Sequence, residues 1–249
     1  MKDLLITLFY EPLYNGLVFL LGTLPIADVG LAVILFTILI KLVLMPLSKK
    51  SLETQINLKK VEPEINDIRK KYKDDAQTQG VKIMEVYKLN KINPFSGFFL
   101  ILIQLPIIFS LYYIFLRAGL PSINEDLLYS FISIPVNIDM HLLGRFNLAE
   151  KSVVLALLAG ISQFIQARLS LPPDKPKDKN KEFSMKDEFA KSLSMQMKYV
   201  MPVVIVFIAY SLSAVVALYW TTSNIFAIGQ EYWIKKRIYA KNEASDNKK

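Results

Sequence analysis

The chain has 249 residues, of which 53% are apolar, and a formal net charge of +8 at pH 7. Its apolar residues fall into blocks of about 18 residues or more with almost no charge, which is too long for the core of a soluble domain. The absence of cysteine excludes disulfides, thiolate metal sites and a cysteine nucleophile. Composition therefore predicts an integral membrane protein.

Within the N-terminal segment 1–28, residues 4–24 are apolar but interrupted by Glu11, Pro12, Asn15 and Gly16 and interspersed with aromatic residues. This pattern favours an N-terminal helix lying in the membrane interface over a complete crossing, with a sixth span as the alternative. The start of the chain does not read as a cleaved signal peptide, because Lys2 is followed at once by Asp3 and no small-x-small site follows. We expect the segment to be retained.

Five later stretches are predicted to cross the membrane. The last two come from the run 198–234, whose 37 residues are too many for one crossing. Ser211 to Ser213 predicts a tight turn near the middle of that run. The predicted spans are 29–47, 94–117, 151–170, 197–211 and 213–234. The predicted fold class is all-α integral membrane, with a five-helix core.

The segment 48–93 is predicted to form a helical hairpin. A heptad-like apolar stripe marks its first arm: Leu58, Val61, Ile65, Ile68 and Tyr72. Residues 74–80 are predicted to form the turn, and Val81, Met84 and Tyr87 are predicted to line the returning arm.

The remaining connections differ in composition. Residues 118–150 read as a mixed loop on the outer side. Residues 171–196 are rich in Lys, Asp and Pro and are predicted to be a mobile linker. Residues 235–249 form a basic tail. Such a tail suits anionic lipid or an RNA partner, although many basic tails only hold the topology.

Lysine and arginine are distributed unequally between the two sides. The segment 48–93 holds eleven, Arg168 through Lys198 holds eight and the tail holds six, a total of 25. The other side holds only four: Lys2, Arg117, Arg145 and Lys151. The positive-inside rule places the hairpin, the linker and the C-terminus in the cytoplasm, with the N-terminus and the 118–150 loop outside.

Lys41 is the one charged residue in the first span. It lies about 18 Å from Val29 and about 7.5 Å from Pro46 along a helix axis, and therefore in the inner half of the bilayer. A charge at the centre of a bilayer costs roughly 2.5–3.5 kcal/mol on insertion scales, so Lys41 should face a hydrated cavity or a partner. The alternative is that its side chain reaches the cytoplasmic headgroups.

Uncharged polar residues recur in the other spans. Thr37 lies one turn from Lys41 on the same helix face. The others are Gln104 in the second span, Ser162, Gln163 and Gln166 in the third, and Thr221, Thr222, Ser223 and Asn224 in the fifth. Each alone commonly bonds between helices. Together with Lys41 they predict a polar, hydrated concavity suited to transient contact with an acidic or polar chain.

Enzyme signatures are missing from the sequence. It contains no HExxH, Gly-x-Ser-x-Gly or P-loop motif and no acidic pair within the spans. The only histidine, His141, falls in the outward loop, where a structural role is expected. We therefore predict no catalytic residue, no metal site and no cofactor.

Several ordered motifs are similar to those of the YidC/Oxa insertase family. They are Met45-Pro46-Leu47 after the first span, Asn93-Pro94-Phe95-Ser96-Gly97, Leu102-Ile103-Gln104-Leu105-Pro106-Ile107 and Leu111-Tyr112-Tyr113 around the second, and Leu218-Tyr219-Trp220, Ser223-Asn224 and Gln230 in the fifth. The resemblance covers about residues 8–237. It is to a short bacterial form without the large periplasmic domain.

This resemblance implies five core helices around a hydrophilic groove that opens to the cytoplasm and the lipid and is closed outward. In the family an arginine of the first span attracts acidic residues of the client, and Lys41 stands at the matching position. Lysine keeps the charge but loses the bidentate fork. Gln104, Gln166 and Asn224 match polar groove positions, and Trp220 stands where the family usually has an aromatic residue. With Thr37 and Gln163, these residues form the predicted groove.

The implied function is a membrane protein insertase and chaperone of the bacterial plasma membrane. The implied partners are newly made membrane proteins, the Sec translocon, the ribosome and anionic lipids, with no sequence-specific nucleic acid. A small transporter or channel is the alternative, which would need a second buried ionisable residue or an internal repeat. An assembly scaffold would not need a buried Lys41.

Overall fold

The computed structural model is helical throughout most of the residues that it describes, which are 6–93, 95–116, 122–135, 137–171, 192 and 194–246. The described α-helices are α1 Glu11–Thr23, α2 Val29–Val43, α3 Met45–Lys71, α4 Ala76–Leu89, α5 Ser96–Leu116, α6 Val153–Ser170, α7 Met201–Ser211 and α8 Ala214–Asp246. A π-helical turn precedes α1 at Ile6–Tyr10, and another precedes α7 at Gln196–Val200. The predicted α class is confirmed. Most of the predicted 171–196 linker lies outside the described residues.

These helices differ in whether they are long and apolar enough to cross a membrane. Among the described residues, α6 is long and apolar enough to cross a membrane, and α2 and α3 qualify together across a break at Leu44. Two shorter apolar helices cover Leu102–Phe115 and Gln196–Ser211. By length and composition there are thus one or two candidate spans in this part of the chain. The arrangement of five spans with an interfacial N-terminal helix stays a prediction.

The chain divides into two compact units. The first contains residues 1–42 and 106–232, and the second contains 43–105 and 233–249. In the first unit α6 and α7 pack closely at Gly160. A Cβ added there would lie 2.2 Å from Val206 Cγ2 and 3.1 Å from the Pro202 carbonyl oxygen. A residue without a side chain lets two helices approach at short range, which is how membrane helices commonly pack.

The N-terminal helix α1 packs against α2 in the same unit. Tyr14, Leu17 and Leu21 are fully buried along one side of α1. A Cβ added at Gly16 would lie 2.7 Å from the ring of Phe36, so the backbone of α1 approaches that ring closely. The helix Glu11–Thr23 therefore covers part of α2.

The predicted outward loop contains small regular elements that the sequence did not indicate. Glu125–Leu127 form a 3₁₀ turn. Strands β1 His141–Leu142 and β2 Phe146–Asn147 form an antiparallel hairpin. Its turn residues Leu143 and Gly144 have φ angles of 52° and 67°.

In the second unit, α3 and α4 pack into the predicted helical hairpin. The buried residues of its core are Val61, Ile65, Val86 and Ile92, surrounded by Leu58, Ile68, Ile83 and Tyr87. The predicted stripe is confirmed at four of its five positions. The prediction that Val81 and Met84 line the returning arm was wrong, because they are 54% and 42% exposed.

The returning arm also begins earlier than predicted. Asp75 caps the helix by accepting a hydrogen bond from the Thr78 amide at 3.0 Å, so the helix starts at Ala76. The turn is consequently shorter than the predicted 74–80. The residues of α4 that pack in the core of the hairpin are Ile83, Val86 and Tyr87, whose spacing of three and four residues places them on one helix face. A second cluster in this unit joins Leu52 and Ile56 of α3 to Ile234 and Ile238 of α8.

Candidate functional site

A line of hydrogen-bonded polar side chains joins α6 to α8. We call it the α6–α8 seam and define it by Ser162, Gln166 and Ser170 on α6 and Asn224 and Glu231 on α8. Asn224 Nδ2 donates to Ser162 Oγ at 3.2 Å. Ser170 Oγ donates to Glu231 Oε2 and accepts from Gln166 Nε2 at 3.1 Å.

The spacing of these contacts fixes the relative direction of the two helices. From Ser162 to Ser170 is eight residues along α6, and from Asn224 to Glu231 is seven along α8. Both steps run the same way and cover about two helical turns, roughly 10–12 Å. The two helices are therefore parallel where they share the seam, in register over that length.

The seam is largely closed to solvent. Ser162, Asn224 and Glu231 have relative exposures of 6%, 7% and 6%. A buried polar group that loses its hydrogen bond costs free energy, and a buried charge costs more. These contacts therefore favour one rotation and one axial register of α8 against α6.

Thr37 and Lys41 lie one turn apart on α2. Thr37 is 1% exposed, and its Oγ1 donates to the Val33 carbonyl oxygen at 2.6 Å, so its hydroxyl is satisfied within its own helix. Lys41 is half-buried. Across the described ranges, the Lys41 ammonium makes no hydrogen bond or ion pair. It is thus a charge available to a further chain or to water.

The other predicted groove residues differ in their hydrogen bonds and in the compact unit to which they belong. Gln166 and Asn224 belong to the α6–α8 seam. Gln163 is half-buried and makes no hydrogen bond with any residue that the structure describes. Gln104 is half-buried on α5, in the part of that helix that belongs to the second unit.

Trp220 faces an apolar cavity of about 180 Å³ in the first unit. Its walls include Leu111, Tyr112 and Phe115 from α5 and Val216 and Trp220 from α8. The four residues that follow Trp220 are polar, and Asn224 already belongs to the seam. One face of α8 therefore changes from an apolar wall to a polar contact within about one turn.

Two members of the seam were missed by sequence reasoning, because neither Ser170 nor Glu231 was singled out as a candidate site residue. The matching steps of seven and eight residues become apparent only once α6 and α8 are known to pack together. Lys198 is also buried, at 4% exposure, although it was counted among the loop charges. Nothing in its sequence context distinguished it from them.

The segment 122–150 is fastened to α1 and α2 by buried polar side chains. Asn15 Nδ2 donates to the Leu127 carbonyl oxygen at 2.8 Å, and its Oδ1 accepts from the Tyr129 amide at 2.7 Å. The carboxylate of Asp28 accepts from the amides of Leu31 and Leu143 at 2.9 and 2.7 Å.

Backbone bonds extend this attachment to the starts of two helices. The Val29 amide donates to the Asp139 carbonyl at 2.9 Å, and the Val215 amide donates to the Leu148 carbonyl at 3.3 Å. The loop therefore joins α1, α2 and α8 at one end of the first unit.

Comparison with known proteins gives matches over most of the chain. The family model described as 60Kd inner membrane protein matches residues 21–242. The chain is 32% identical over 230 residues to a protein of Fusobacterium nucleatum named membrane protein insertase YidC, covering 92% of this chain and 97% of that protein. It is 35% identical over 212 residues to proteins of the same name from Francisella tularensis subspecies novicida and tularensis. That match covers 84% of this chain and 33% of each Francisella protein, so the chain spans about a third of their length.

Proposed function

Because this chain belongs to the YidC/Oxa family, we propose that it is a membrane protein insertase of the bacterial inner membrane, moving short hydrophilic segments of client proteins across the bilayer. The observation that carries the proposal is the match over 97% of a relative named as an insertase. The proposed action is physical, with no covalent chemistry, cofactor or nucleotide.

The proposed driving step is electrostatic capture by Lys41. Its support is a half-buried ammonium group that makes no ion pair with any described residue. A charged client residue at the centre of a bilayer costs roughly 2.5–3.5 kcal/mol on insertion scales. An opposite charge in a hydrated groove lowers that cost while the segment crosses. The apolar helix of the client then moves into lipid, where its own burial stabilises it.

The proposed role of the α6–α8 seam is to support one wall of this groove. Gln163, which lies between Ser162 and Gln166 in sequence, keeps its amide unbonded among the described residues and available to a client backbone. A polar segment leaving water needs replacement hydrogen bonds, because each unmet group is costly in hydrocarbon.

The proposed topology has five spans, the N-terminus outside and the C-terminus in the cytoplasm. It rests on the 25-to-4 distribution of Lys and Arg. In this topology the α3–α4 hairpin contacts clients as they arrive, and its basic surface and the basic tail contact anionic lipids. The Sec translocon and the ribosome are the proposed macromolecular partners.

Insertion into liposomes tests the function. The purified full chain is reconstituted, a short single-span client is added, and the protease-protected fraction of its outward tail is measured. We expect a larger protected fraction than in empty liposomes. Equal protection with and without the protein would overturn the proposal. A solute leak without client insertion would instead support the transporter or channel alternative.

A further inference from the structure

The tip of the β1–β2 hairpin has an unusual residue for its backbone conformation. Leu143 and Gly144 are the two central residues of a β-turn over residues 142–145, within the three-residue loop between the strands, and both have positive φ angles. Such turns favour Asn-Gly or Asp-Gly, because these residues tolerate the left-handed region. Leucine is disfavoured there. A bulky apolar side chain therefore occupies a position that a small polar residue would fill more easily.

Buried polar contacts hold this tip in place. The Leu143 amide donates to Asp28 Oδ2 at 2.7 Å, and Asp28 is 5% exposed. The Arg145 amide donates to the Leu142 carbonyl at 3.1 Å and closes the turn. The conformation of Leu143 is thus specified by its neighbours.

The side chains at the tip point away from the protein. Leu143 is 73% exposed and Phe146 is 47% exposed, with the exposed Arg145 between them. Removing apolar surface from water is the main favourable contribution to folding. A turn that is fixed by buried bonds and still holds two apolar side chains outward is suited to an apolar environment outside the protein.

The attachment points of the hairpin set its depth. Leu143 is bonded to the residue that precedes α2, and Leu142 covers Gly30, where an added Cβ would lie 2.6 Å from Leu142 Cδ1. Just beyond β2, the Leu148 carbonyl accepts from the Val215 amide at the start of α8. The hairpin is therefore fastened where two predicted spans begin, which is the depth of the bilayer interface.

We propose that residues 143–146 form a lipid-contacting tip that inserts into the interface of the outer leaflet. Leu143 and Phe146 contact acyl chains, and Arg145 lies among the lipid phosphates, as long basic side chains do at interfaces. The partner is the lipid of the surrounding membrane and not a client polypeptide. The proposal rests on the proposed topology, which puts this loop outside.

The cysteine-free chain allows a direct test of depth. Phe146→Cys and, as a control in the same loop, Glu125→Cys are each labelled with a nitroxide in the full chain in proteoliposomes of defined bacterial phospholipid. Collision rates with oxygen, which concentrates in lipid, and with a water-soluble nickel chelate are then measured. We expect the oxygen-to-nickel ratio to be severalfold higher at 146 than at 125. Equal ratios would overturn the proposal.

A second variant tests the role of Leu143 itself. Leu143→Asn suits the left-handed turn, so the hairpin is retained while the apolar contact is lost. In this variant we expect the oxygen-to-nickel ratio of collision rates at position 146 to fall, because the label becomes more accessible to water. An unchanged oxygen-to-nickel ratio would overturn the inserted tip. Shielding of the label at 146 from the nickel chelate that arises only after a client is added would also overturn it.

The two proposals fail in distinguishable ways. If the cysteine at 125 reacts from outside while the label at 146 is accessible to water, the inserted tip is excluded and the topology stands. If the cysteine at 125 reacts only from the cytoplasmic side, the topology is excluded, together with an outer-leaflet tip.

Discussion

Ser170 at the end of α6 donates a hydrogen bond to the carboxylate of Glu231 on α8. Asn224, seven residues earlier on α8, donates in the opposite direction, from its Nδ2 to Ser162 Oγ on α6. Two polar contacts about two turns apart define both the rotation and the axial position of one helix against the other. A single contact would leave the rotation free.

The contact between Ser170 and Glu231 should contribute measurably to stability. Ser170→Ala removes a donor from a buried carboxylate, and we expect a loss of about 1–3 kcal/mol in the free energy of unfolding. Denaturant unfolding in detergent micelles measures it. Ser211→Ala is the control, because that hydroxyl bonds to the Phe207 carbonyl of its own helix at an exposed site. An equal loss in both variants would contradict the expectation.

Gly160 should be intolerant of a methyl group, unlike Gly229. Gly160→Ala places a Cβ 2.2 Å from Val206 Cγ2, so α6 and α7 must separate, at a cost of about 1–3 kcal/mol. At Gly229 no atom lies within 4 Å of the added Cβ, and Gly229→Ala should stabilise α8 by roughly 0.5–1 kcal/mol. Thermal unfolding compares the two. Val206→Ala combined with Gly160→Ala should recover part of the loss, and no recovery would argue against the Val206 contact.

The cap at Asp75 predicts a pH dependence at the start of α4. Hydrogen bonds from Thr78 hold the pKa of the Asp75 carboxyl below its usual value. Its stabilising effect is therefore complete above the usual aspartate pKa of about 3.9 and is lost as the pH falls through the lower folded-state pKa. Amide exchange at Thr78 should accelerate over that range. Asp75→Asn keeps a capping acceptor that does not titrate, so its Thr78 exchange should lack this acceleration beyond the intrinsic change.

The topology can be tested with single cysteines on opposite sides. A cysteine at Lys73, exposed between α3 and α4, should react only from the cytoplasm. One at Asn124, exposed in the outward loop, should react from outside. An impermeant maleimide applied to intact cells and to inverted vesicles distinguishes the sides. Labelling of both positions from one side would be incompatible with the five-span arrangement.

Substitutions at Lys41 distinguish the effect of its charge on client insertion from the effect of the shape of the groove. Lys41→Arg should preserve insertion because charge and reach are kept. Lys41→Ala should leave the fold intact and reduce insertion, most strongly for a client with an acidic outward tail. Insertion rates are measured for two clients that differ only in tail charge. Equal rates for wild type and both variants, with both clients, would exclude the electrostatic role and favour simple snorkelling.

Sequence patterns predicted the helical class and much of the hairpin. The stripe from Leu58 to Ile68 was identifiable because a helix buries residues at intervals of three and four. The facing arm was misassigned at Val81 and Met84 because a strict step of three residues drifts around a helix of 3.6 residues per turn. The face that packs contains Ile83, Val86 and Tyr87, at intervals of three and four.

For the candidate site, the sequence identified polar residues without their pairing. Asn224, Gln166 and Ser162 were singled out, yet the bond between Asn224 and Ser162 and the contact of Ser170 with Glu231 followed only from the packing of α6 against α8. Asp28 and Asn15 were missed because each bonds to backbone more than 100 residues away. Contacts of that range leave no local pattern along the chain.

Bonds of different kinds hold the elements together at the two ends of the first unit. At one end, loop carbonyls accept directly from the backbone amides of Val29 and Val215, donors that only a proline substitution would remove, and the side chains of Asn15 and Asp28 add bonds to the same loop. Further along, α6 and α8 meet through side-chain hydroxyls, an amide and a carboxylate. In the proposed topology the backbone bonds lie at the outer end of the unit, and the side-chain bonds of the α6–α8 seam lie nearer the cytoplasm. From this difference we expect the outer end of the unit to stay fixed during insertion, while the inner ends of α6 and α8 separate wherever a polar client segment replaces the seam hydrogen bonds.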